Sequence, residues 1–176
     1  MQNNSVLEAI RERRSKFRFK DEEVGEDAIE SILEAGRWAP SFANLQPWKL
    51  VVIQDEELKE DLYEIAGKIT LFREGLEEAP VIFSVAVDQE EDPDHYIEAG
   101  AVATQNMALA AYSLGLASYW IGLFDITEAR KSVEKEARTA LDLPKKYRLI
   151  SLLPVGKSDQ KKTGERQDLD EIVVRK

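Results

Sequence analysis

Apolar residues recur at helical spacing in the N-terminal half of the chain, and short β-branched runs separate these stretches. An apolar stripe follows the capping-box pair Ser5 and Glu8, which predicts a first helix from about Val6 to Arg13 or Arg14. The same reasoning predicts, in chain order, a helix from about Asp27 that ends before Pro40, a buried strand at Lys49–Ile53, a helix capped by Asp55 and a strand at Val81–Val87.

A long segment of small residues dominates the second half of the chain. From Tyr96 to Leu114 it is apolar on most of its circumference, which predicts a helix that is buried in the core or at a subunit interface, with Gly115 as its C-cap. The later elements predicted are a strand at Leu116–Ile121, a helix at Thr127–Leu141, a strand at Arg148–Leu153 and a polar connector at Gly156–Asp168. Beyond the connector, the β-branched run Ile172–Val174 predicts a terminal strand, and such a strand must pair with something.

This alternation of strands and helices predicts a mixed sheet flanked by helices. A chain of 176 residues is long enough to bury one core but not to carry separate cofactor and substrate domains. No repeat, low-complexity tract or internal boundary interrupts it, so residues 1–176 are expected to form a single domain. A cofactor site would therefore lie within this fold or between subunits.

Charge and composition exclude several classes of function. The formal net charge is −10 and the pI about 4.8, which disfavours nucleic acids and anionic membranes as partners. The absence of cysteine and the single histidine, His95, exclude thiolate metal sites and Cys/His hydrolysis. The most apolar run, Ala79–Val87, is about half of the roughly 20 residues that a membrane-spanning helix needs, and no secretory signal is recognisable, so a cytoplasmic protein is expected.

Cations cluster at the end of the predicted first helix, around Arg13, Arg14 and Ser15. Guanidinium groups and a hydroxyl can together bind a phosphate through charge-assisted hydrogen bonds. The cluster is equally explained by the preference of cations for the negative end of a helix dipole. Lys162 and Arg166, in the connector, could complete a phosphate site, although charges in a connector are usually solvated.

Two further segments carry candidate binding chemistry. The stretch from Ala39 to Trp48 is bounded by prolines, and its side chains Ser41, Asn44 and Gln46 could meet the polar edge of a planar heterocycle. A turn with self-satisfying polar groups explains it as well. Near Gly122, the end of a strand would let a backbone approach a flat ligand, although an ordinary strand end has the same appearance.

Taken together, these segments resemble the FMN-dependent nitroreductase superfamily over nearly the whole chain. The matching motifs, in order, are Arg13-Arg14-Ser15 with Phe19, the loop from Ala39 through Asn44, Gln46 and Pro47 to Trp48, the small-residue helix, Trp120-Ile121-Gly122, Leu153-Pro154-Val155-Gly156 and Arg166. The resemblance implies an α+β fold in an intertwined homodimer, with two FMN molecules at the subunit interface. It also implies that the C-terminal strand adds to the partner's sheet, which would account for Ile172–Val174.

The resemblance also assigns roles to particular residues. It implies that the FMN phosphate is held by Arg13, Arg14, Ser15 and Arg166, helped by Lys162, and that Pro40, Ser41 and Asn44 approach the flavin from the other subunit, with Gln46 also a cofactor-binding residue. It implies further that Ile121, Gly122 and Leu123 lie against the ring system, and that Gln105 of the central helix is either near the flavin or in a buried interhelical hydrogen bond. Two departures weaken this match, since Phe17 and Gly164 stand where the family often has basic residues. Arg73 is the candidate for stabilising the anionic reduced flavin.

The implied activity is a ping-pong reaction. NADH or NADPH would give hydride to the flavin, and a small acceptor such as a nitroaromatic or a quinone would then take it, with the cofactor supplying the chemistry and no dedicated catalytic side chain required. Within the superfamily, flavin destruction or dehalogenation of aromatic amino acids are alternatives. An FMN carrier or sensor without turnover is another, which Phe17 and Gly164 favour.

Overall fold

The computed structural model of the chain describes residues 4–71, 73–123 and 128–176, and side chains throughout these ranges except at 128–132. Its helices are α1 (Ser5–Glu12), α2 (Glu26–Arg37), α3 (Glu56–Ala66), α4 (Glu74–Glu78), α5 (Tyr96–Ser113), α6 (Glu128–Ala140) and α7 (Leu169–Ile172). Its strands are β1 (Trp48–Ile53), β2 (Val81–Asp88), β3 (Ala117–Ser118), β4 (Ile121–Gly122) and β5 (Tyr147–Gly156). The start of α6 predicted at Thr127 lies outside the described residues.

A single sheet organises the fold. Its strand order is β1-β2-β5-β3, with β4 also pairing with β5, and every ladder between these strands is antiparallel. The parallel component is an isolated bridge between Ser15 and Ser118. The structure therefore confirms an α+β fold with helices flanking the sheet. The segment predicted as one strand at Leu116–Ile121 is two short strands, because Tyr119 and Trp120 leave the ladder between them.

The two faces of the sheet carry separate cores, because successive side chains of a strand point to opposite faces. On β2, which is buried along its whole length, Ile82 belongs to one core and Phe83 to the other. The Ile82 core includes Leu62 of α3, Leu76 of α4 and Leu152 of β5, and the Phe83 core includes Ile29 and Ile32 of α2, Met107 of α5 and Leu153 of β5.

Small residues let α5 lie very close to the sheet, as its composition predicted. A Cβ placed on Gly100 would stand only 2.4 Å from Cγ1 of Ile150. On its other side α5 meets α2, where a Cβ on Gly36 would be 2.9 Å from Met107. The central position of this helix is therefore a consequence of its glycine and alanine content.

The ends of the predicted elements differ in several places. The N-cap of α1 is Asn4, whose side chain accepts from the Leu7 N–H at 2.9 Å, so the capping box predicted at Ser5 is wrong. Asp55 caps α3 as predicted, accepting from Leu58 N–H at 2.9 Å. Strand β1, expected to be buried, is partly exposed because it is an edge strand of the sheet.

The C-terminal segment is not a strand within this chain. Leu169–Ile172 form the one-turn helix α7, and the extended residues that follow are exposed, with Val174 82% exposed. Within one chain Ile172–Val174 form no strand, and their predicted pairing with a partner's sheet stays a prediction. No helix of the described residues is long and apolar enough to cross a membrane.

Candidate functional site

Two adjoining clefts lie where the segment after α1 meets β3, β4 and the connector that follows β5. We call the first the arginine cleft. It has a volume of about 360 Å³ and is lined by Glu12, Arg13, Arg14, Lys16, Tyr112, Gly115–Ser118 and Ser158–Thr163. We call the second the aromatic cleft. It has a volume of about 450 Å³ and is lined by Ser15, Phe17, Ile69, Thr70, Tyr119–Gly122 and Lys162. Lys162 lines both.

Backbone hydrogen bonds hold the connector beside the segment after α1. The N–H of Lys16 donates to the Ser118 carbonyl at 3.1 Å, which anchors this segment to β3. The N–H of Phe17 donates to Oε1 of Gln160 at 3.0 Å, and Oγ of Ser158 donates to the Arg18 carbonyl at 2.6 Å. Residues 143 and 140 positions apart in the sequence are thereby brought to the walls of the same clefts.

The guanidinium groups of Arg13 and Arg14, which line the arginine cleft, lie near that of Arg166, and none of the three forms an ion pair with a carboxylate among the described residues. Burial lowers the pKa of Arg13, and the positive charges of Arg14 and Arg166 lower it further. The Nε of Arg14 is buried and has no hydrogen-bond partner among the described residues. A buried donor without a partner is costly, and mutual repulsion adds to that cost, so an anion bound here would relieve both.

Gly164 takes part in this convergence. A Cβ at this position would lie 3.1 Å from Nη1 of Arg166 and 3.3 Å from Nε of Arg14. A larger residue would therefore press on both guanidinium groups. The family often has a basic residue at this position. Because glycine has no side chain, Arg14 and Arg166 have room to approach each other here.

Two packed aromatic rings, Phe17 and Tyr119, line part of the aromatic cleft. Phe17 meets Tyr119 edge-on at 6.3 Å between ring centroids, and Phe19 stacks on Tyr119 at 6.2 Å. Burial raises the pKa of the Tyr119 hydroxyl, and the carboxylates of α4 act in the same direction, so this side chain is neutral. At the opposite wall, the exposed Gly122 has no side chain, and a Cβ there would meet only Nε1 of Trp120 at 3.8 Å.

The loop between Pro40 and Pro47 has an unusual backbone. Ala43, Asn44 and Gln46 have positive φ angles of 47°, 59° and 52°, which non-glycine residues seldom adopt. Oγ of Ser41 accepts from the Gln46 N–H at 2.9 Å, and Nε2 of Gln46 donates to the Asn44 carbonyl at 3.3 Å. The exposed Phe42 stacks on His95 with 4.2 Å between ring centroids, a contact that sequence reasoning missed.

Several of the predicted site residues lie outside the two clefts. The loop residues Pro40, Ser41, Asn44 and Gln46 line neither cleft in this chain. Gln105, for which a buried hydrogen bond was one expectation, is exposed on α5.

Arg73 lies outside both clefts. Its guanidinium sits 4.1 Å from the Tyr63 ring centroid and 3.8 Å from a carboxylate oxygen of Glu64. Leu123 is fully buried, so its side chain is part of the core. Sequence reasoning missed Phe17, Tyr119 and Gln160 as lining residues. The one signal in the sequence was that Phe17 and Tyr119 are aromatic residues beside the motifs Arg13-Arg14-Ser15 and Trp120-Ile121-Gly122.

Known proteins share this architecture. The family model described as "Nitroreductase family" matches residues 10–75 and 67–157. The chain belongs to the nitroreductase family. A candidate NADH dehydrogenase/NAD(P)H nitroreductase of Methanothermobacter thermautotrophicus is 31% identical over 86% of this chain and 76% of its own.

Two further relatives bear on the chemistry of this nitroreductase-family chain. The crystal structure of a candidate nitroreductase from Desulfovibrio desulfuricans in complex with FMN superposes with a TM-score of 0.81, at 32% identity, covering 99% of this chain and 98% of that one. Iodotyrosine deiodinase of Nematostella vectensis is 25% identical over 96% of this chain and 74% of its own.

Proposed function

We propose that this chain is an FMN-dependent oxidoreductase, a single FMN-binding domain over residues 1–176, which takes electrons from NADH or NADPH. One observation carries this proposal. The arginine cleft, where the buried Nε of Arg14 has no hydrogen-bond partner among the described residues, opens beside the aromatic cleft, and Lys162 lines both. An anion attached to a planar ring system fits both clefts at once, and FMN is such a molecule. The relative from Desulfovibrio desulfuricans was solved with FMN.

The phosphate end would be held by the arginine cleft. Arg13, Arg14 and Arg166 supply guanidinium groups whose repulsion a phosphate would relieve. Ser15 lies at the entrance to the neighbouring aromatic cleft, where its hydroxyl can serve the same group. The ring system would lie along the wall formed by Ile121 and Gly122, where no side chain at position 122 obstructs a flat ligand.

The complete site requires a second copy of the chain. The loop residues Pro40, Ser41, Asn44 and Gln46 line neither cleft here, so any part they play in FMN binding would be in the partner's site. The exposed apolar surface supports a homodimer, since Trp38 is 71% exposed and Val6 63% exposed. Strand β1 has a free edge that could accept the partner's segment Ile172–Val174. Gln105 lies on the exposed side of α5, within reach of such an interface.

FMN held by Arg13, Arg14 and Arg166 at its phosphate and by Ile121 and Gly122 at its ring would supply the transfer of hydride from the nicotinamide donor to a small acceptor, such as a nitroaromatic or a quinone, in two separate half-reactions. The residues of this chain then have to bind the flavin and orient the donor and the acceptor, and none of them needs to move a proton. That requirement agrees with clefts lined by cations, aromatic rings and small residues. The bound donor and acceptor would use the same open face in turn.

The first experiment is to purify the protein without added flavin, release any chromophore by heat, and record its visible spectrum and mass. We expect FMN at about one per chain, and bleaching of the bound flavin under anaerobic conditions when NADH or NADPH is added. Uptake of no FMN, even when it is supplied, would contradict the proposal. Bound FMN that neither nicotinamide reduces would indicate a carrier or sensor instead.

The deiodinase relative favours one second candidate, reductive dehalogenation of an aromatic amino acid. Its test uses the same preparation, reduced under anaerobic conditions and mixed with a halogenated tyrosine. Release of halide together with reoxidation of the flavin would support it. Reoxidation by a quinone but not by the halotyrosine would exclude it in favour of the first proposal.

A further inference from the structure

Lys162 is the cation shared by the two clefts. Its Nζ lies 4.2 Å from the centroid of the Phe17 ring, in the geometry of a cation–π contact. Among the described residues, no carboxylate forms an ion pair with it, although the chain contains 34 acidic residues against 24 basic ones. The ammonium group is therefore held in place by an aromatic face while its charge stays available to a ligand.

The other cations near the site do not reach the aromatic cleft. Arg13 and Arg14 line only the arginine cleft, and Arg73 is turned away onto Tyr63. Within the part of the chain that the structure describes, Lys162 is the one cation in the wall of the aromatic cleft. Phe17 lines the aromatic cleft and not the arginine cleft, so this contact holds the Nζ of Lys162, which lines both, against an aromatic-cleft residue.

We propose that Lys162 contacts the ring system of the flavin and stabilises the negative charge that reduction places there, and that Phe17 positions Lys162 for this role. The inference rests on the proposed function and deepens it. A positive charge held beside a flavin ring raises its reduction potential, because it interacts more strongly with the reduced form than with the oxidised form. A lysine on a flexible connector needs such a positioning contact, because its side chain otherwise has many rotamers.

The test separates ring from phosphate by comparing the binding of FMN and of riboflavin, which lacks the phosphate. Lys162→Gln should weaken the binding of both by the same factor, about tenfold, and lower the reduction potential of bound FMN. Arg13→Gln should weaken FMN binding alone. Lys145→Gln removes the same charge from an exposed position away from the clefts and should change neither affinity.

The role of Phe17 has its own variants. Phe17→Leu keeps apolar bulk but removes the aromatic face, so the reduction potential should fall in the same direction as in Lys162→Gln. The double variant Phe17→Lys with Lys162→Gln returns a cation to the aromatic cleft from the other side of the contact, and the potential should recover toward that of the wild type. Circular dichroism checks that each variant is folded.

The outcomes are distinct. Loss of FMN binding with unchanged riboflavin binding in Lys162→Gln would make Lys162 a phosphate ligand and overturn the inference. Unchanged binding of both flavins would also overturn it. A wild-type protein that binds neither flavin would contradict the proposed function itself, before any variant is considered.

Discussion

The two parts of the candidate site differ in how far a single chain completes them. At the arginine cleft, Arg14 and the neighbouring Arg166 repel Arg13, and the buried Nε of Arg14 has no partner in the part of the chain that the structure describes. In the loop between Pro40 and Pro47, the polar groups of Ser41 and Gln46 are satisfied by the loop itself. The first region is therefore prepared for a ligand by its own chain, whereas the second is held together by its own hydrogen bonds and, under the proposed function, would contribute to the partner's site.

The largest effect on this difference should come from a substitution at the expected subunit interface. Val102 is on the exposed side of α5 and 37% exposed, so the fold of one chain tolerates a charged residue there. Val102→Arg should convert the expected dimer into a folded monomer, because a dimer interface would bury the new charge without a partner. Light scattering measures the mass. Val102→Thr, which has nearly the same shape and no charge, should remain dimeric. A wild-type protein that is already monomeric would refute the shared site.

The next largest effect should be at Arg14. Arg14→Gln removes a charge-assisted donor from a partly buried position, which should weaken FMN binding by about a hundredfold, equivalent to about 3 kcal/mol. Isothermal titration with FMN measures the affinity. The free energy of unfolding without FMN should stay the same or rise, because the variant also removes repulsion at Arg13. A variant that binds FMN as tightly as the wild type would mean that the phosphate lies elsewhere.

Much of the fold follows from local pattern, while the convergence of the site does not. The small residues of α5 predicted its burial, because only small side chains permit the approach seen at Gly100. Asp55 was identified as a cap from the sequence, whereas at α1 the sequence predicted Ser5 and the structure has Asn4, whose side chain accepts from the Leu7 N–H. The contact of Gly164 with Arg14 joins residues that are distant in sequence, so no local pattern reports it.

The terminal segment shows a second limit of sequence reasoning. The β-branched run Ile172–Val174 has the composition of a strand, yet the single chain gives it nothing to pair with. Under the proposed function this segment would pair with the partner's sheet, which lies outside the chain's own fold. The position of Lys162 was equally hidden from the sequence. A lysine in a polar connector is ordinarily solvated, and here its contact with the Phe17 ring holds it in one position.

Substitutions in the strained loop should raise the stability of the protein, whereas those in the clefts should weaken FMN binding. Ala43 adopts a φ of 47°, so Ala43→Gly should relieve strain and raise the free energy of unfolding by about 1 kcal/mol. Thermal unfolding measures it. Asn44→Gly, at a φ of 59°, should have a smaller effect because asparagine tolerates this conformation. Destabilisation by Ala43→Gly would mean that the loop conformation is not strained.

The smallest effect should come from Gly164, and it tests whether this glycine weakens the site or helps to form it. The added Cβ of Gly164→Ala would stand 3.1 Å from Nη1 of Arg166, the far end of a flexible side chain that can shift by a few tenths of an ångström. A small rotamer adjustment of this kind should weaken FMN binding by about threefold. Riboflavin binding should be unaffected, because the displaced group serves the phosphate. Tighter FMN binding by Gly164→Ala would show that the arginines gain from a side chain at this position, and that the glycine is a defect in the site instead of a condition for it.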